Sequence, residues 1–280
     1  MRFDLHVHST ASDGHLSPSE LVRASLEAGL TALAITDHDS LSGVPEALQA
    51  ARGTDLLVIA GVELSASYED ADIHILGYFV DPHDKVLTRR LSTLREVRHG
   101  RAHQMVEHLK RAGIDVTLEA VLHFAQSGSV GRSHVARALL AGGHVASVAE
   151  AFDTLIGRGR PYYVPKPVAH PVDVVRSIAE AGGVPVLAHP GVTGANGCIP
   201  ELVEAGLVGL EAYHGEHSLE QREYYVNLAR SLELIVTGGS DFHGLDAPGS
   251  PLGGVEMPES VLHELLEAAG RTWTDGMPDH

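Results

Sequence analysis

Short apolar runs of strand length alternate with amphipathic stretches of helix length from the first residues onward. That alternation predicts an α/β fold, a mostly parallel sheet with helical crossovers. The opening strand lies in RFDLHVHSTASDG, residues 2–14, where successive residues take opposite faces. Leu5 and Val7 are therefore expected on one face and His6 and His8 on the other. Ser17, Pro18 and Glu20 then spell a helix start, with Ser17 capping, Pro18 in the first turn and Glu20 closing a capping box. This helix should stop at Gly29. Further strands are expected in TALAITDHDS, DLLVIAGVELSA and DIHILGYFV, with a helix from Pro45 after the first of them.

From about Lys85 the rhythm breaks into mainly helical sequence, with RRLSTLREVRHGRAHQMVEHLKRAG as one or two long helices. This is longer than an ordinary crossover and predicts a small helical insertion at residues 85–160, serving as a lid or substrate domain inside a main domain of residues 1–84 and 161–280. After PYYVPKP the alternation resumes: strands in VPVLAHPG, GLEAYH and ELIVTGGSDFHG are separated by helices, and ESVLHELLEAAG closes the chain as a helix. Seven strands result, five of them finishing in His, Asp or Glu.

Composition narrows the classes. Hydrophobic residues make up 44% of the 280 and charged residues 20%, which fits an ordinary globular protein with a sizeable core. The single cysteine, Cys198, excludes an internal disulfide and a thiolate cluster. No apolar run approaches the ~20 residues that span a bilayer, and a cytoplasmic protein without membrane contact is expected. A net charge of −17 argues against long nucleic acid as partner. Nineteen histidines, nearly as many as the 20 lysines and arginines together, are the unusual figure.

In a barrel of parallel strands, functional groups gather at the strands' C-terminal ends. Polar residues expected there are His6, His8, Asp13, His38, Glu63, His74, His189, Asp241 and His243. An isolated His-x-His is as readily a hydrogen-bonded strand end, but five imidazole-bearing strand ends together point to metal. Nine such ligands suit two or three ions, and mixed imidazole and carboxylate suits Zn, Mn or Fe better than Ca or Mg.

The ordered elements LHVHSTASDG, ITDHDS, GVELSA, HILGY, LAHPG and GSDFHG resemble the PHP (polymerase and histidinol phosphatase) family of metal-dependent phosphoesterases. GRSHVARALLAGGHVASVAEAF and GRGRPYYVPK resemble the insertion of its nucleotide-phosphatase and RNase AM-like branch. The resemblance implies a distorted seven-stranded β/α barrel with three divalent ions, Mn²⁺, Zn²⁺ or Fe²⁺. It implies that His6, His8, Glu63 and Asp241 hold one ion, that Glu63 bridges to a second with His74 and His189, and that Asp13, His38 and His243 hold the third.

The chemistry implied is attack on phosphorus by a water that two ions activate, with His6, His8, Glu63 and Asp241 as its core. His214 is a candidate to protonate the leaving oxygen, though a hydrogen bond to the metal ligands serves it equally well. Arg132 and Lys166 are the candidate phosphate clamps, with Arg158 and His217 as further candidates near substrate; Arg160, like Arg158, is closer to an ordinary solvated residue. Asp37 and Asp39 are expected to support ligands or cap a helix; His99, His103 and His108 are expected to be structural or exposed, and His134 has no clear assignment. The expected substrate is a small nucleotide: a nucleoside monophosphate, a 3′,5′-bisphosphate or the 5′ end of a short RNA. The expected state is a monomer or small homo-oligomer. Histidinol phosphatase and a non-catalytic metal-stabilised accessory module are the alternatives.

Overall fold

The computed structural model describes residues 1–69, 71–126, 128–165, 169–244 and 250–272. Seven strands, β1 (Phe3–Val7), β2 (Ala32–Ile35), β3 (Leu57–Tyr68), β4 (Ala71–Tyr78), β5 (Val184–Leu187), β6 (Gly209–His214) and β7 (Ile235–Gly239), pair in sequence order. A parallel bridge between Val7 and Phe242 brings the two edges together. The N–H of His8 donates to the Phe242 carbonyl at 3.0 Å, and that of Asp241 to the His6 carbonyl at 3.0 Å. The result is a distorted, nearly closed β/α barrel, as the family resemblance implies.

The pairing is parallel except at β4, which runs antiparallel to both neighbours. The expectation that His74 ends a parallel strand is thus corrected. β3 and β4 form a hairpin, and His74, opposite Ser65, reaches the site from the first half of β4. A second correction concerns Leu5 and Val7. The β1–β2 ladder slips register between Asp4 and Val7. Leu5 consequently joins Phe3, Ala34, Ile59 and Val186 in one apolar cluster, while Val7 joins Leu33, Ile35 and Val44 in another.

Helices α1 (Pro18–Glu27), α2 (Val44–Ala50), α7 (Pro171–Glu180), α9 (Ile199–Glu204) and α10 (Leu219–Ser231) flank the sheet. α1 starts as its sequence dictates: the Glu20 N–H donates to Ser17 Oγ at 3.2 Å, and the Ser17 N–H to Glu20 Oε2 at 2.8 Å. At the end of the barrel where the parallel strands begin, Val261, Leu262, Leu265 and Leu266 of α11 (Glu259–Ala268) pack with Phe3, Leu57 and Val184. Each fully buried leucine contributes roughly 1.5–3 kcal/mol, so this end is closed by packing and the opposite end is left for chemistry.

The helical stretch holds α3 (Lys85–Arg111), α4 (Leu118–Ala125), α5 (Arg132–Ala141) and α6 (Val148–Ala151), which runs into a π-helical turn at Phe152–Ile156. α8 is a single turn at Pro190–Thr193. The first half of α3 buries Leu87, Leu91 and Leu94 against the barrel. Its second half buries Ala102, Met105, Val106 and Leu109 in a separate cluster with α4 and α5. One 27-residue helix therefore belongs to both cores.

Candidate metal centre

Glu63 is the centre of the open end. It lies within β3, is 1% exposed, and is surrounded by five imidazoles. His74 Nδ1 and His189 Nε2 approach its Oε1 at 2.8 and 3.0 Å, and His38 Nδ1 approaches Oε2 at 2.8 Å. His8 Nε2 and His6 Nε2 lie 3.4 and 3.6 Å from Oε2. Asp241 Oδ1 sits 3.0 Å from His8 Nε2 and 3.4 Å from His6 Nε2, closing the group from β7's side. Asp13 Oδ1 faces His243 Nε2 at 3.4 Å and His8 Nδ1 at 3.8 Å. The structure thus brings together all nine residues picked out as metal ligands from the sequence.

Several of these atoms converge without satisfying one another. Glu63 Oε2, Asp13 Oδ1, His38 Nδ1 and His74 Nδ1 are buried and make no aligned hydrogen bond, although the charged pairs are within 4 Å. His6 Nε2 and His8 Nε2 point at each other across 3.2 Å. Burying polar groups in this state costs several kcal/mol unless something else occupies their lone pairs. A divalent cation does so, and imidazole with carboxylate is its ordinary donor set. Four groups have donor atoms mutually within 4.8 Å: His8, Asp13, His38 and His243; His6, His189 and Asp241; His6, His8 and Glu63; and His38, Glu63 and His74.

Charge follows the same logic. Burial pushes Glu63 up, but His38, His74 and His6 outweigh it and hold the carboxyl well below its usual range. Asp241 is likewise held low, by His6 and His243 against burial. Burial lowers His6, yet Glu211, Asp241 and Glu63 carry it well above the ordinary imidazole value. Backbone strain occurs here too: Asp39, His189 and Asp241 have φ of 51°, 28° and 53°, a region that non-glycine residues occupy at a cost.

The supporting residues include several the sequence reading missed. Buried Glu211, inside β6, accepts the His6 Nδ1 proton at 3.0 Å and the His189 N–H at 2.8 Å. Buried Asp4 accepts from Ser240 N–H and Oγ at 2.9 and 2.6 Å and from Gly253 N–H at 2.8 Å, fixing the approach to Asp241. A charged residue inside an otherwise apolar strand was the available signal for both. Asp37 takes Ser9 and Ser12 hydroxyls at 2.6 Å each. Asp39 takes the Ser65 N–H at 2.9 Å and the Arg98 guanidinium. Both support neighbours of ligands, as expected.

His214 Nδ1 accepts the Glu216 N–H at 3.2 Å, leaving Nε2 3.6 Å from Asp241 Oδ2. His217 donates from Nδ1 to the Ala212 carbonyl at 2.9 Å and accepts the Gly191 N–H at Nε2 at 3.1 Å. Its ring therefore braces the turn after His189, with no nitrogen left for substrate. Arg132 is bound by Asp72 at 2.8 Å, and Arg158 and Arg160 are exposed. Lys166 lies outside the described residues. His134 is buried and receives the Gly131 N–H at Nδ1, and His99, His103 and His108 are exposed.

Residues 4–159 match the PHP domain family model. The chain belongs to the PHP family. It is 34% identical to the 3′,5′-nucleoside bisphosphate phosphatase of Chromobacterium violaceum, covering 90% of this chain and 91% of that protein. It is 35% identical to the 5′-3′ exoribonuclease Rnm of Escherichia coli K12, over 86% and 85%. A solved structure from Bifidobacterium adolescentis, proposed to be a metal-dependent phosphoesterase, aligns with a TM-score of 0.88 at 32% identity, covering 95% of this chain and 96% of that one. This PHP chain is thus an enzyme of the metal-dependent phosphoesterase class, with a His, Asp and Glu cluster able to bind metal. Among its described residues no helix is long and apolar enough to cross a membrane.

Proposed function

We propose that this PHP protein hydrolyses phosphate esters of small nucleotides, with a nucleoside monophosphate, a 3′,5′-bisphosphate or the 5′ end of a short RNA as substrate. The observation that carries the reading is the convergence of nine side chains, Glu63 at their centre, with several buried polar atoms left unspent. The named activities of the C. violaceum and E. coli relatives support the nucleotide class. In this reading His6, His8, Glu63 and Asp241 hold one divalent ion, Glu63 with His74 and His189 a second, and Asp13 with His38 and His243 a third; Mn²⁺, Zn²⁺ and Fe²⁺ fit the donors. Such ions lower the pKa of a coordinated water and offset the charge of a phosphate group.

The chain's own groups do the rest. Glu211 keeps the proton of His6 on Nδ1, so that Nε2 presents its lone pair to the centre. Glu216 fixes His214 with its proton on Nε2, beside Asp241, where it is placed to reach a leaving oxygen. His217 holds the turn that carries His189. Residues 85–160 are assigned to substrate selection, because their side chains form the outer wall of the cavity above the centre.

The test is phosphate release from adenosine 3′,5′-bisphosphate, AMP, histidinol phosphate and a 5′-phosphorylated trinucleotide, with Mn²⁺ and after chelation. Metal-dependent turnover of at least one of the three nucleotides, faster than of histidinol phosphate, is expected. Preference for histidinol phosphate would transfer the protein to that reaction, and no metal-dependent turnover of any of them would overturn the enzyme assignment.

A further inference from the structure

We propose that Arg137 is the binding site for a second phosphate on the substrate, remote from the phosphorus under attack. The inference rests on the nucleotide reading and deepens it. A cavity of about 540 Å³ opens beside the centre, with Asp241 and His214 on one wall and Phe124, Arg137 and Phe152 of the helical stretch on the other. Arg132, the clamp suggested by sequence, does not line it. Its guanidinium is held by Asp72 and faces the rings of Phe152 and Tyr163 at 5.7 and 5.6 Å. Arg137 does line it, half-buried, with its guanidinium 4.8 Å from the centre of the Phe124 ring. Among the described residues no carboxylate is paired with it.

Helix α5 sets the spacing. Ser133 and Arg137 are one turn apart on the same face, about 6 Å along the axis. Ser133 Oγ donates to Asp13 Oδ2 at 2.8 Å, so the first of the pair touches the proposed metal ligands and the second stands one turn away. That separation suits the two ester positions of one ribose. A guanidinium over an aromatic ring can still direct N–H groups at an anion, and a planar fork of donors matches a phosphate. A cation lining the cavity of a protein of net charge −17 also counts for more than one of many.

The experiment compares wild type, Arg137→Ala and Arg137→Lys by kcat/KM with Mn²⁺ on adenosine 3′,5′-bisphosphate, 3′-AMP and 5′-AMP. Wild type should prefer the bisphosphate, and Arg137→Ala should lower its kcat/KM by about tenfold to a hundredfold, the worth of charged hydrogen bonds. The monophosphate lacking the remote group should be almost unaffected, and Arg137→Lys should recover part of the loss. Equal losses on all three substrates, or none, would overturn the assignment. If wild type turns over no nucleotide, the nucleotide reading fails by itself, and calorimetry on EDTA-treated protein decides this one. Tighter binding of the bisphosphate than of both monophosphates, lost in Arg137→Ala, sustains it; no such difference overturns it.

Discussion

At the scale of single residues, the buried partners of the candidate ligands determine how the centre is held. Glu211 has two acceptor oxygens and two donors to satisfy, the His6 Nδ1–H and the His189 N–H, and so orients two ligands from one position in β6. A glutamine can accept from only one of them and would turn an N–H towards the other. Glu211→Gln should therefore weaken metal affinity about 10- to 100-fold, the usual loss when a partner of a ligand is changed. Metal content measured by mass spectrometry during dialysis against graded chelator checks this, and an unchanged affinity would show that Glu211 orients nothing. The ligands themselves were legible because His6, His8, His38 and Asp241 stand at strand ends, where a polar residue needs a reason. Glu211 and Asp4 were passed over because a lone carboxylate within a strand does not declare which donors fold back to it from residues far away in sequence.

At the scale of elements, the alternation of strands and helices gave the number of strands and the capping of α1 but not every direction. The hairpin between β3 and β4 was invisible because an antiparallel strand buried on both sides has the same apolar texture as a parallel one. The slip in β1 was equally hidden, since one displaced residue moves a side chain to the other face without altering composition. Helix α3 carries the clearest consequence. Its buried Arg98 donates to Asp39, next to His38, and to Ser65 Oγ at 2.9 Å, so the helical stretch is tied electrostatically to the strand ends that carry the site. Arg98→Met leaves Asp39 a buried carboxylate without its cation, which should cost about 3–5 kcal/mol in stability. Adding Asp39→Asn should restore part of it, because the uncompensated charge is then gone. Urea unfolding of both variants is the measurement, and a loss below about 1 kcal/mol in the single variant, the range of exposed ion pairs, would refute the tie.

At the scale of the whole molecule, the barrel's one apolar end and one polar end make fold stability and metal binding parts of one equilibrium. The polar end packs Asp13, Glu63, Asp241 and six histidines of the candidate set at the mouth of a protein that already carries a net charge of −17. Imidazolium must compensate for those carboxylates when ions are absent: Asp13 and Asp241, opposing its burial, push His243 up to about 10. Ions that bind the folded chain and not the unfolded one stabilise it by about 2.7 kcal/mol at a hundred times the dissociation constant. With roughly 2–4 °C per kcal/mol for a chain of this size class, Mn²⁺ at that excess should raise the melting temperature by roughly 5–10 °C over chelated protein. Because the gain comes from ligation, and His8 is a proposed ligand of one of the three ions, His8→Ala should show a clearly smaller ion-dependent rise than wild type. Thermal scans of the two proteins at matched ionic strength separate this from general salt screening, which would shift both alike. An unchanged melting temperature for the wild type under saturating Mn²⁺ would mean that the convergence around Glu63 is maintained by protonated histidines alone.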